Sequence, residues 1–517
     1  MNEYDFNVAV IGAGPGGYIA ALRAAQNGLS VVCIEKEALG GTCLNVGCIP
    51  SKSLLHSSEA YDWIKKSSKE EGISVKNATF DLSAMMQRKE KIVKTLVDGI
   101  DFQFKKGKIE HIKGNASFAD SHTLVVGERK ITAKNIIIAT GSESIALPFL
   151  PFDEKYIVSS TGALSFPSVP QRFVVVGAGA IGLELASVYA RLGSDVSVIE
   201  MLDVVTPTMD GAVSKELLQS LKKQGIQFFL GAKVKSGCVQ GKNVTLTFEH
   251  ENQEKSITAD AVLVAIGRKP YTKDLGLANI GVVPTAKGFI PVDANFKVIL
   301  KTAVQDGEVM QDFESQSFVV VGEHSQMVKA PTTANGCDSK DCVNLPSSIA
   351  NFRILHSHIY AIGDTISGPM LAHRASHEGV AVADLIAGKQ AHINYMSIPN
   401  VIYTHPEAAS VGFSEAEARA AGLDITLGVS LFRSNGRAYC NGNTEGFVKV
   451  IGDKKSGRLV GLHIVGAAAS EMIAEGVVAL DMKATVSDIA HACHPHPTLS
   501  ETIMEACQQS LLRDEKK

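Results

Sequence analysis

One local pattern occurs twice in this chain and constrains the fold more than any other feature. The first copy runs Asn7-Val-Ala-Val-Ile-Gly12-Ala-Gly14-Pro-Gly-Gly17, passes through small apolar residues and closes on Ser30-Val-Val-Cys-Ile-Glu35. The second runs Phe173-Val-Val-Val-Gly177-Ala-Gly179-Ala-Ile-Gly182 and closes on Asp195-Val-Ser-Val-Ile-Glu200. Each reads as strand, glycine-rich turn, helix and strand, with an acid ending the second strand. That order is a dinucleotide fingerprint. Gly12 and Gly177 allow the tight turn. Gly14 and Gly179 let a pyrophosphate approach the backbone. Gly17 and Gly182 let helix and strand pack closely. The helix then offers free N–H groups and its positive end to the phosphates. Glu35 and Glu200 are placed to accept hydrogen bonds from ribose hydroxyls. Two fingerprints in one chain predict two nucleotide folds.

Later segments extend the pattern. Ile136-Ile-Ile-Ala139-Thr140-Gly141 and Ala261-Val-Leu-Val-Ala265-Ile-Gly267-Arg268 are short apolar strands ending in glycine, and each returns the chain to one of the two sheets. Beyond residue 400, Gly446-Phe-Val-Lys-Val-Ile451 and Leu459-Val-Gly-Leu-His-Ile-Val465 alternate around a turn at Gly457 and predict an antiparallel hairpin. The expected fold is α/β: two Rossmann-like FAD/NAD-binding domains plus a C-terminal α+β dimerisation domain. The expected bounds are 1–146 for the FAD-binding domain, 147–271 for the NAD-binding domain, 272–398 for a central domain completing the FAD site, and 399–517 for the interface domain.

Composition excludes other classes. The chain has 517 residues, 20% of them charged, and a net charge of −4, which calls for neither nucleic acid nor an anionic membrane surface. No apolar run is long enough to span a bilayer. Only five residues precede the first strand, which leaves no room for a cleavable targeting peptide. Nine cysteines are thinly spread over this length, unlike a secreted disulfide scaffold. The expected compartment is a reducing cytoplasm, or an organelle matrix if a presequence was removed. A disulfide there serves catalysis more often than structure.

The most specific segment follows the first nucleotide fold: Gly40-Gly-Thr-Cys43-Leu-Asn-Val-Gly47-Cys48-Ile-Pro50-Ser-Lys52. Two thiols five positions apart can close a small ring if the chain turns, and Gly47 permits that. Pro50 suits the first turn of a helix whose positive end lowers the pKa of Cys48. Zinc needs further ligands, and no second close pair with good spacing serves this segment. A second segment, His494-Pro-His496-Pro-Thr-Leu-Ser-Glu501, pairs a histidine with a carboxylate. Thiol–disulfide exchange needs a thiolate attacker, which a histidine generates by taking the proton. A carboxylate on its other nitrogen fixes the tautomer. His491 and His494 compete with His496 for this role.

The stretch from Gly40 to Lys52 resembles the active-site segment of the pyridine nucleotide–disulfide oxidoreductases, and within them it is most similar to the dihydrolipoyl dehydrogenases. The resemblance covers nearly the whole chain. It implies an enzyme that reoxidises protein-bound dihydrolipoamide with NAD through FAD, as a component of 2-oxo acid dehydrogenase and glycine cleavage complexes. Its partners would be a second copy in a homodimer and the lipoyl-bearing acyltransferase subunits. Cys43 would exchange with substrate and Cys48 would face the flavin. Lys52 would sit near the flavin N5 end, paired with Glu184. His496, oriented by Glu501, would come from the other subunit. Gly114, Thr140, Gly141, Ser142, Asp364 and Met370-Leu371-Ala372-His373 match FAD contacts, and Val234 and Gly267 match NAD contacts. Glu200 favours NAD, because a carboxylate there pairs with a free 2′-hydroxyl and repels a 2′-phosphate. The same residue argues against the NADPH-dependent reductases. Mercuric reductases carry an extra C-terminal cysteine pair, whereas Cys507 stands alone. A purely structural flavoprotein subunit is the alternative outside enzymes, and the intact set of Cys43, Cys48, His496 and Glu501 argues against it.

One departure from the family stands out. Pro291-Val292 and Ile359-Tyr360 are separated by a long excursion. Its ends echo each other, as Ala294-Asn-Phe296-Lys-Val-Ile-Leu300 and Ala350-Asn-Phe352-Arg-Ile-Leu355. This predicts an insertion near 297–352, read as a surface loop, with partner binding or a role for Cys337 and Cys342 as alternatives.

Overall fold

A computed structural model describes residues 3–300, 318–320, 327–329 and 357–514. The first nucleotide fold begins with β1 (Phe6–Ile11), α1 (Pro15–Gln26) and β2 (Val31–Glu35). Then come α2 (Gly41–Val46), α3 (Cys48–Lys66) and α4 (Leu82–Lys106), and the strands β3 (Glu110–Lys113), β4 (Ala116–Phe118), β5 (Thr123–Val126) and β6 (Arg129–Ile138). Strand order is β3-β2-β1-β6-β5-β4. The β1–β2, β1–β6 and β2–β3 pairs are parallel, while β4, β5 and the start of β6 form an antiparallel meander. Val8, Val10, Ile34, Ile136 and Ile137 are wholly buried or nearly so, as expected of parallel strands covered on both faces.

The second fold follows β7 (Ser142–Ser144). It contains β8 (Ile157–Val158), α5 (Ser160–Ala163), β9 (Arg172–Val176), α6 (Ala180–Arg191), β10 (Asp195–Ile199), α7 (Gly211–Lys223) and β11 (Gln227–Phe229). An antiparallel flap, β12 (Lys233–Gln240), β13 (Asn243–His250) and β14 (Gln253–Ala259), precedes β15 (Ala261–Val264) and β16 (Arg268–Pro270). The order β11-β10-β9-β15-β8 repeats that of the first sheet. The two apolar strands ending in glycine do return to their own sheets, β6 beside β1 and β15 beside β9.

The segment expected as a central domain builds onto the first sheet. Of its strands β17 (Phe318–Val320), β18 (Met327–Lys329) and β19 (Ile359–Ala361), the last pairs with β6 in parallel. Helix α8 (Ala372–Ile386) lies alongside α1. A Cβ on Gly379 would come 2.4 Å from the Gly16 carbonyl oxygen, so the two helices pack backbone to backbone. The ends of the excursion meet. The Val298 N–H donates to the Ile359 carbonyl at 2.9 Å, and Ala361 N–H to Phe296 at 3.0 Å. Phe296, Val298 and Leu300 are buried in the first core, so the first echo occupies the strand position. The second echo and Cys337 and Cys342 lie outside the described residues.

The last unit is a five-stranded antiparallel sheet ordered β20-β21-β24-β23-β22. These are β20 (Asn400–Ile402), β21 (Glu407–Gly412), β22 (Ile425–Leu431), β23 (Phe447–Asp453) and β24 (Leu459–Gly466). Its helices are α9 (Glu415–Ala420), α10 (Gly436–Cys440), α11 (Ala469–Asp481), α12 (Val486–His491) and α13 (Glu501–Asp514). The β23–β24 hairpin turns at Gly457 as expected, where φ is +69°. Both of its strands are buried almost throughout. The alternation in the sequence therefore does not mark an open face, because α11 and α13 and, from the second fold, α7 pack against this sheet.

Candidate active site

The two fingerprints build the same local geometry. Gly12 and Gly177 have φ of +97° and +106°. A Cβ on Gly17 would lie 1.9 Å from the Gly12 carbonyl oxygen, and on Gly182 2.1 Å from that of Gly177. A side chain at either position would drive the helix off its strand. At Gly14 and Gly179, the N-caps of α1 and α6, a Cβ would meet nothing within 4 Å. The space kept clear is where a pyrophosphate would lie against the helix N-terminus, so both sites fit a dinucleotide. The acids are held alike. Glu35 accepts the Ala13 and Glu37 N–H groups, each at 2.8 Å. Glu200 accepts Ala178 N–H at 2.7 Å and Leu202 N–H at 2.8 Å. Each carboxylate oxygen keeps a lone pair for a ribose hydroxyl.

Around the first site the structure gathers most of the expected FAD residues. Gly114 N–H donates to the Glu35 carbonyl at 2.9 Å. Thr140 Oγ1 donates to the Tyr271 carbonyl at 2.6 Å, and Gly141 turns with φ of +70°. Ser142 Oγ donates to Asp364 Oδ2 at 2.5 Å while accepting from Arg268 Nε at 2.8 Å. Arg268 also donates to the Ser142 carbonyl at 2.6 Å. It is a site residue the sequence reading passed over, although it directly follows Gly267 in the β15 motif. Leu371 is the N-cap of α8 and Ala372 its first residue. Met370, Leu371 and Ala372 thus stand at the end of a helix running beside α1, while the His373 ring bonds to the Pro399 carbonyl at 2.8 Å. Burial lowers the His373 pKa. The Asp364 turn is held from behind by Glu378, which is wholly buried and accepts Gly363 N–H at 2.7 Å, Arg374 Nε at 2.8 Å and Tyr395 Oη at 2.9 Å. In the second site, Val234 packs from β12 onto the core that includes Val174, Val176 and Ile199, and Gly267 has φ of +130° just past β15.

Cys43 and Cys48 form a disulfide with Cα atoms 4.7 Å apart. Both are half-buried. Cys48 is the first residue of α3 and Pro50 lies in its first turn, so the sulfur sits at the positive end of a 19-residue helix. Gly47 is needed for close approach, since a Cβ there would lie 2.9 Å from the Thr42 carbonyl oxygen. Asn45 Nδ2 ties the loop to the Leu39 and Gly41 carbonyls at 2.9 Å. Gly41 presses on the FAD cradle, with its Cβ direction 2.6 Å from Gly14 Cα. The other end of this helix turn faces the second fold. Lys52 Nζ pairs with Glu184 Oε2 on α6 at 2.8 Å. The second oxygen of Glu184 accepts Tyr403 N–H at 3.1 Å, and the Tyr403 ring lies 4.2 Å under Lys52 Nζ. Burial and then Glu184 raise the Tyr403 pKa. The disulfide therefore joins α2, which lies against the first fold's Gly14, to α3, which reaches the second fold. By contrast, burial pushes the Cys507 thiol up to about 12.

His496 Nδ1 meets Glu501 Oε1 at 2.9 Å. The other Glu501 oxygen accepts Thr498 N–H at 2.8 Å. That bond and then His496 hold the Glu501 carboxyl below its usual range. The His496 side chain is 80% exposed, leaving Nε2 open to whatever approaches this face. His494 is nearly buried, with its ring nitrogens engaged by the Ala492 carbonyl and Glu475, each at 2.9 Å. Of the competing histidines, His491 bonds its own helix at the Ser487 carbonyl. Only His496 combines a carboxylate partner with an open nitrogen among these three.

Comparison with known proteins agrees with this architecture. The family described as pyridine nucleotide-disulphide oxidoreductase matches residues 6–306, and its dimerisation domain matches residues 398–507. A dihydrolipoamide dehydrogenase of Chaetomium thermophilum is 44% identical across 98% of this chain and 91% of its own length. The chain belongs to the dihydrolipoyl dehydrogenases of that family. The mitochondrial dihydrolipoyl dehydrogenase of Schizosaccharomyces pombe is 43% identical across 98% of this chain and 89% of its own. The crystal structure of LpdA from Mycobacterium tuberculosis superposes with a TM-score of 0.81 at 23% identity, covering 97% of this chain and 99% of that one, a likeness of fold. FAD and NAD are the cofactors of the family, and the matched C-terminal region is its dimerisation domain. Among the described residues no helix is long and apolar enough to cross a membrane.

Proposed function

We propose that this enzyme oxidises dihydrolipoamide with NAD, using the Cys43–Cys48 disulfide of one subunit and His496 of the partner subunit. The observation that carries the reading is the position of the disulfide. It joins α2, whose Gly41 lies against Gly14, to α3, which pairs through Lys52 with α6 of the NAD fold.

The chain's residues divide the work as follows. His496 Nε2 takes a proton from one substrate thiol, and Glu501 holds the imidazole in the tautomer that accepts it. The thiolate attacks Cys43 Sγ. The Cys43–Cys48 bond breaks, and Cys48 leaves as a thiolate stabilised by the α3 N-terminus. The second substrate thiol then attacks the substrate sulfur of the mixed disulfide, and its proton passes to the departing Cys43 sulfur. The lipoyl ring closes, Cys43 is released as a thiol, and the first proton stays on His496. Bound FAD supplies the two-electron relay from the dithiol to NAD. Ser142, Asp364, Gly114 and Glu35 would hold its ribityl and adenosine ends, and Lys52 its redox end. Glu200, Val234 and Gly267 would hold NAD.

Lipoyl-bearing acyltransferase subunits of 2-oxo acid dehydrogenase complexes are the expected source of the dithiol. The mitochondrial relatives favour an organelle matrix over the cytoplasm as its location. The reading is tested by following NADH formation from dihydrolipoamide and NAD with the purified holoenzyme. Turnover that persists at full rate in Cys43→Ser would overturn it.

A further inference from the structure

We infer, resting on the proposed placement of Lys52 at the redox end of FAD, that Tyr403 is a positioning residue for electron transfer from flavin to NAD. The face of its ring holds the Lys52 ammonium in place. Tyr403 directly follows β20, so the restraint comes from the C-terminal unit and not from either nucleotide fold.

One residue touches both members of the Lys52–Glu184 pair. The Tyr403 ring centroid lies 4.2 Å from Lys52 Nζ, and the Tyr403 N–H donates to Glu184 Oε1 at 3.1 Å while Lys52 takes Oε2 at 2.8 Å. Burial, then Glu184, Glu407 and Glu471, push the phenol up, so the ring is uncharged near neutral pH and its face attracts a cation. The backbone that presents the ring is anchored on several sides. Ile402 is buried in the second core together with Leu54 and Leu55 of α3. Thr404 Oγ1 donates to the Pro406 carbonyl at 2.7 Å. His405 Nδ1 meets Glu59 of α3 at 3.1 Å, and the His405 carbonyl accepts Gln224 Nε2, at the end of α7, at 2.6 Å. Glu407 accepts Ser470 N–H, in the first turn of α11, at 2.8 Å. The stretch 402–407 is thus tied to α3, α6, α7 and α11.

Lysine is a point charge on a flexible stem, and the Lys52 side chain is 33% exposed, so its ion pair alone fixes the ammonium weakly. A ring face held by a fixed backbone adds a second, directional restraint. That restraint bears on one half of the reaction. Thiol–disulfide exchange takes place at Cys43. The electrons leave for NAD from the flavin end where Lys52 would stand, beside Glu184 of the NAD fold. Loosening Lys52 should therefore slow the passage of electrons from flavin to NAD and spare the exchange.

The test follows the two half-reactions of the holoenzyme separately by rapid mixing. Reduction by dihydrolipoamide is read from the long-wavelength thiolate–flavin band, and reoxidation by NAD from the return of the oxidised flavin spectrum. Tyr403→Leu should slow reoxidation by about tenfold, the size expected of losing one partly desolvated cation–ring contact, and leave reduction within about threefold. Tyr403→Phe keeps the ring and should restore reoxidation to within about threefold. Phenylalanines bearing one, two or three ring fluorines at position 403 keep the side-chain shape and weaken the ring face. Reoxidation should fall stepwise along that series, which decides the matter even if Tyr403→Leu folds poorly. In a Lys52→Met background Tyr403→Leu should add no further loss, because the ring acts through the ammonium. Reoxidation that stays flat across the fluorinated series, equal slowing of both half-reactions, or losses that multiply in the double variant would overturn the inference. A Lys52→Met enzyme that reoxidises at the full rate would overturn the placement of Lys52 beside the flavin and the inference with it, a result distinct from failure at Tyr403 alone.

Discussion

At the residue scale the two cysteines are chemically unequal although they share one bond. Cys48 begins α3 and Cys43 lies in the shorter α2, so the helix end stabilises the Cys48 thiolate. A thiolate beside an oxidised flavin gives a long-wavelength absorption band. Cys43→Ser should show that band without any reductant, and Cys48→Ser should never show it. Spectra identical to the unmodified enzyme in both variants would overturn the assignment. The proposed base has its own signature. His496→Gln should slow reduction by dihydrolipoamide by about 10²–10⁴, the usual worth of general acid–base catalysis. NADH oxidation by artificial electron acceptors should survive, since it bypasses the disulfide. A matched loss of both activities would point to damaged folding. The residues most easily read from sequence were those whose partners are local. Gly12, Gly14, Gly17 and Glu35 act within one βαβ unit, and His496 and Glu501 are five positions apart. Arg268 and Tyr403 were not legible as site residues. Arg268 meets Ser142 across 126 positions, and Tyr403 meets Glu184 across 219, pairings that only the assembled fold creates.

At the element scale the doubled fingerprint specifies more than two turns. It implies two parallel sheets of like strand order, and each is completed by the apolar strand that the sequence pattern marks, β6 or β15. The β23–β24 hairpin was legible from its turn and from the alternation of its two segments, but that alternation does not separate a buried from an open face, because both strands are covered on both sides. The excursion after Leu300 illustrates how flanking geometry decides a question that composition leaves open. Val298 and Ile359 are hydrogen-bonded neighbours, so the chain leaves and rejoins the fold at one point. Replacing residues 301–356 with a short connection should leave FAD content, dimer formation and turnover within a few-fold. Cutting further, to remove Phe296, Val298 and Leu300, should cost about 2–5 kcal/mol per large side chain taken from the core, and flavin retention should fall with it. Loss of flavin from the shorter excision would show that the excursion packs into the fold.

At the scale of the whole molecule the C-terminal sheet is locked to the second nucleotide fold by a buried ionic cluster. Lys449 on β23 pairs with Asp210, the N-cap of α7, and with Glu415, each at 2.9 Å. His463 lies beside them on β24, bonded to Ser410 and the Phe413 carbonyl. Burial lowers its pKa against the opposing pull of Asp210, so the folded protein binds the ring's second proton less readily than the unfolded chain. The unfolded chain binds a proton near the usual 6.5, so it holds more protons than the folded chain once the pH drops below that value. Stability from this residue is complete above that pH and falls as pH drops toward the folded pKa, with a slope of up to about 1.4 kcal/mol per pH unit. His463→Asn should flatten the dependence of Tm on pH just below 6.5, and an unchanged slope would show that another group carries it. Helix α13, whose first residue Glu501 pairs with His496, packs on the same sheet. The central claim is that His496 completes the site of the other subunit. It is tested most directly with isolated mixed dimers that carry Cys43→Ser in one subunit and His496→Gln in the other. One site in such a dimer has intact cysteines facing an intact histidine across the interface, so dihydrolipoamide oxidation should return to about half the wild-type rate per dimer, although each variant homodimer is nearly inactive. A mixed dimer as inactive as its two parents would mean that cysteines and histidine act within one subunit, and would contradict the account.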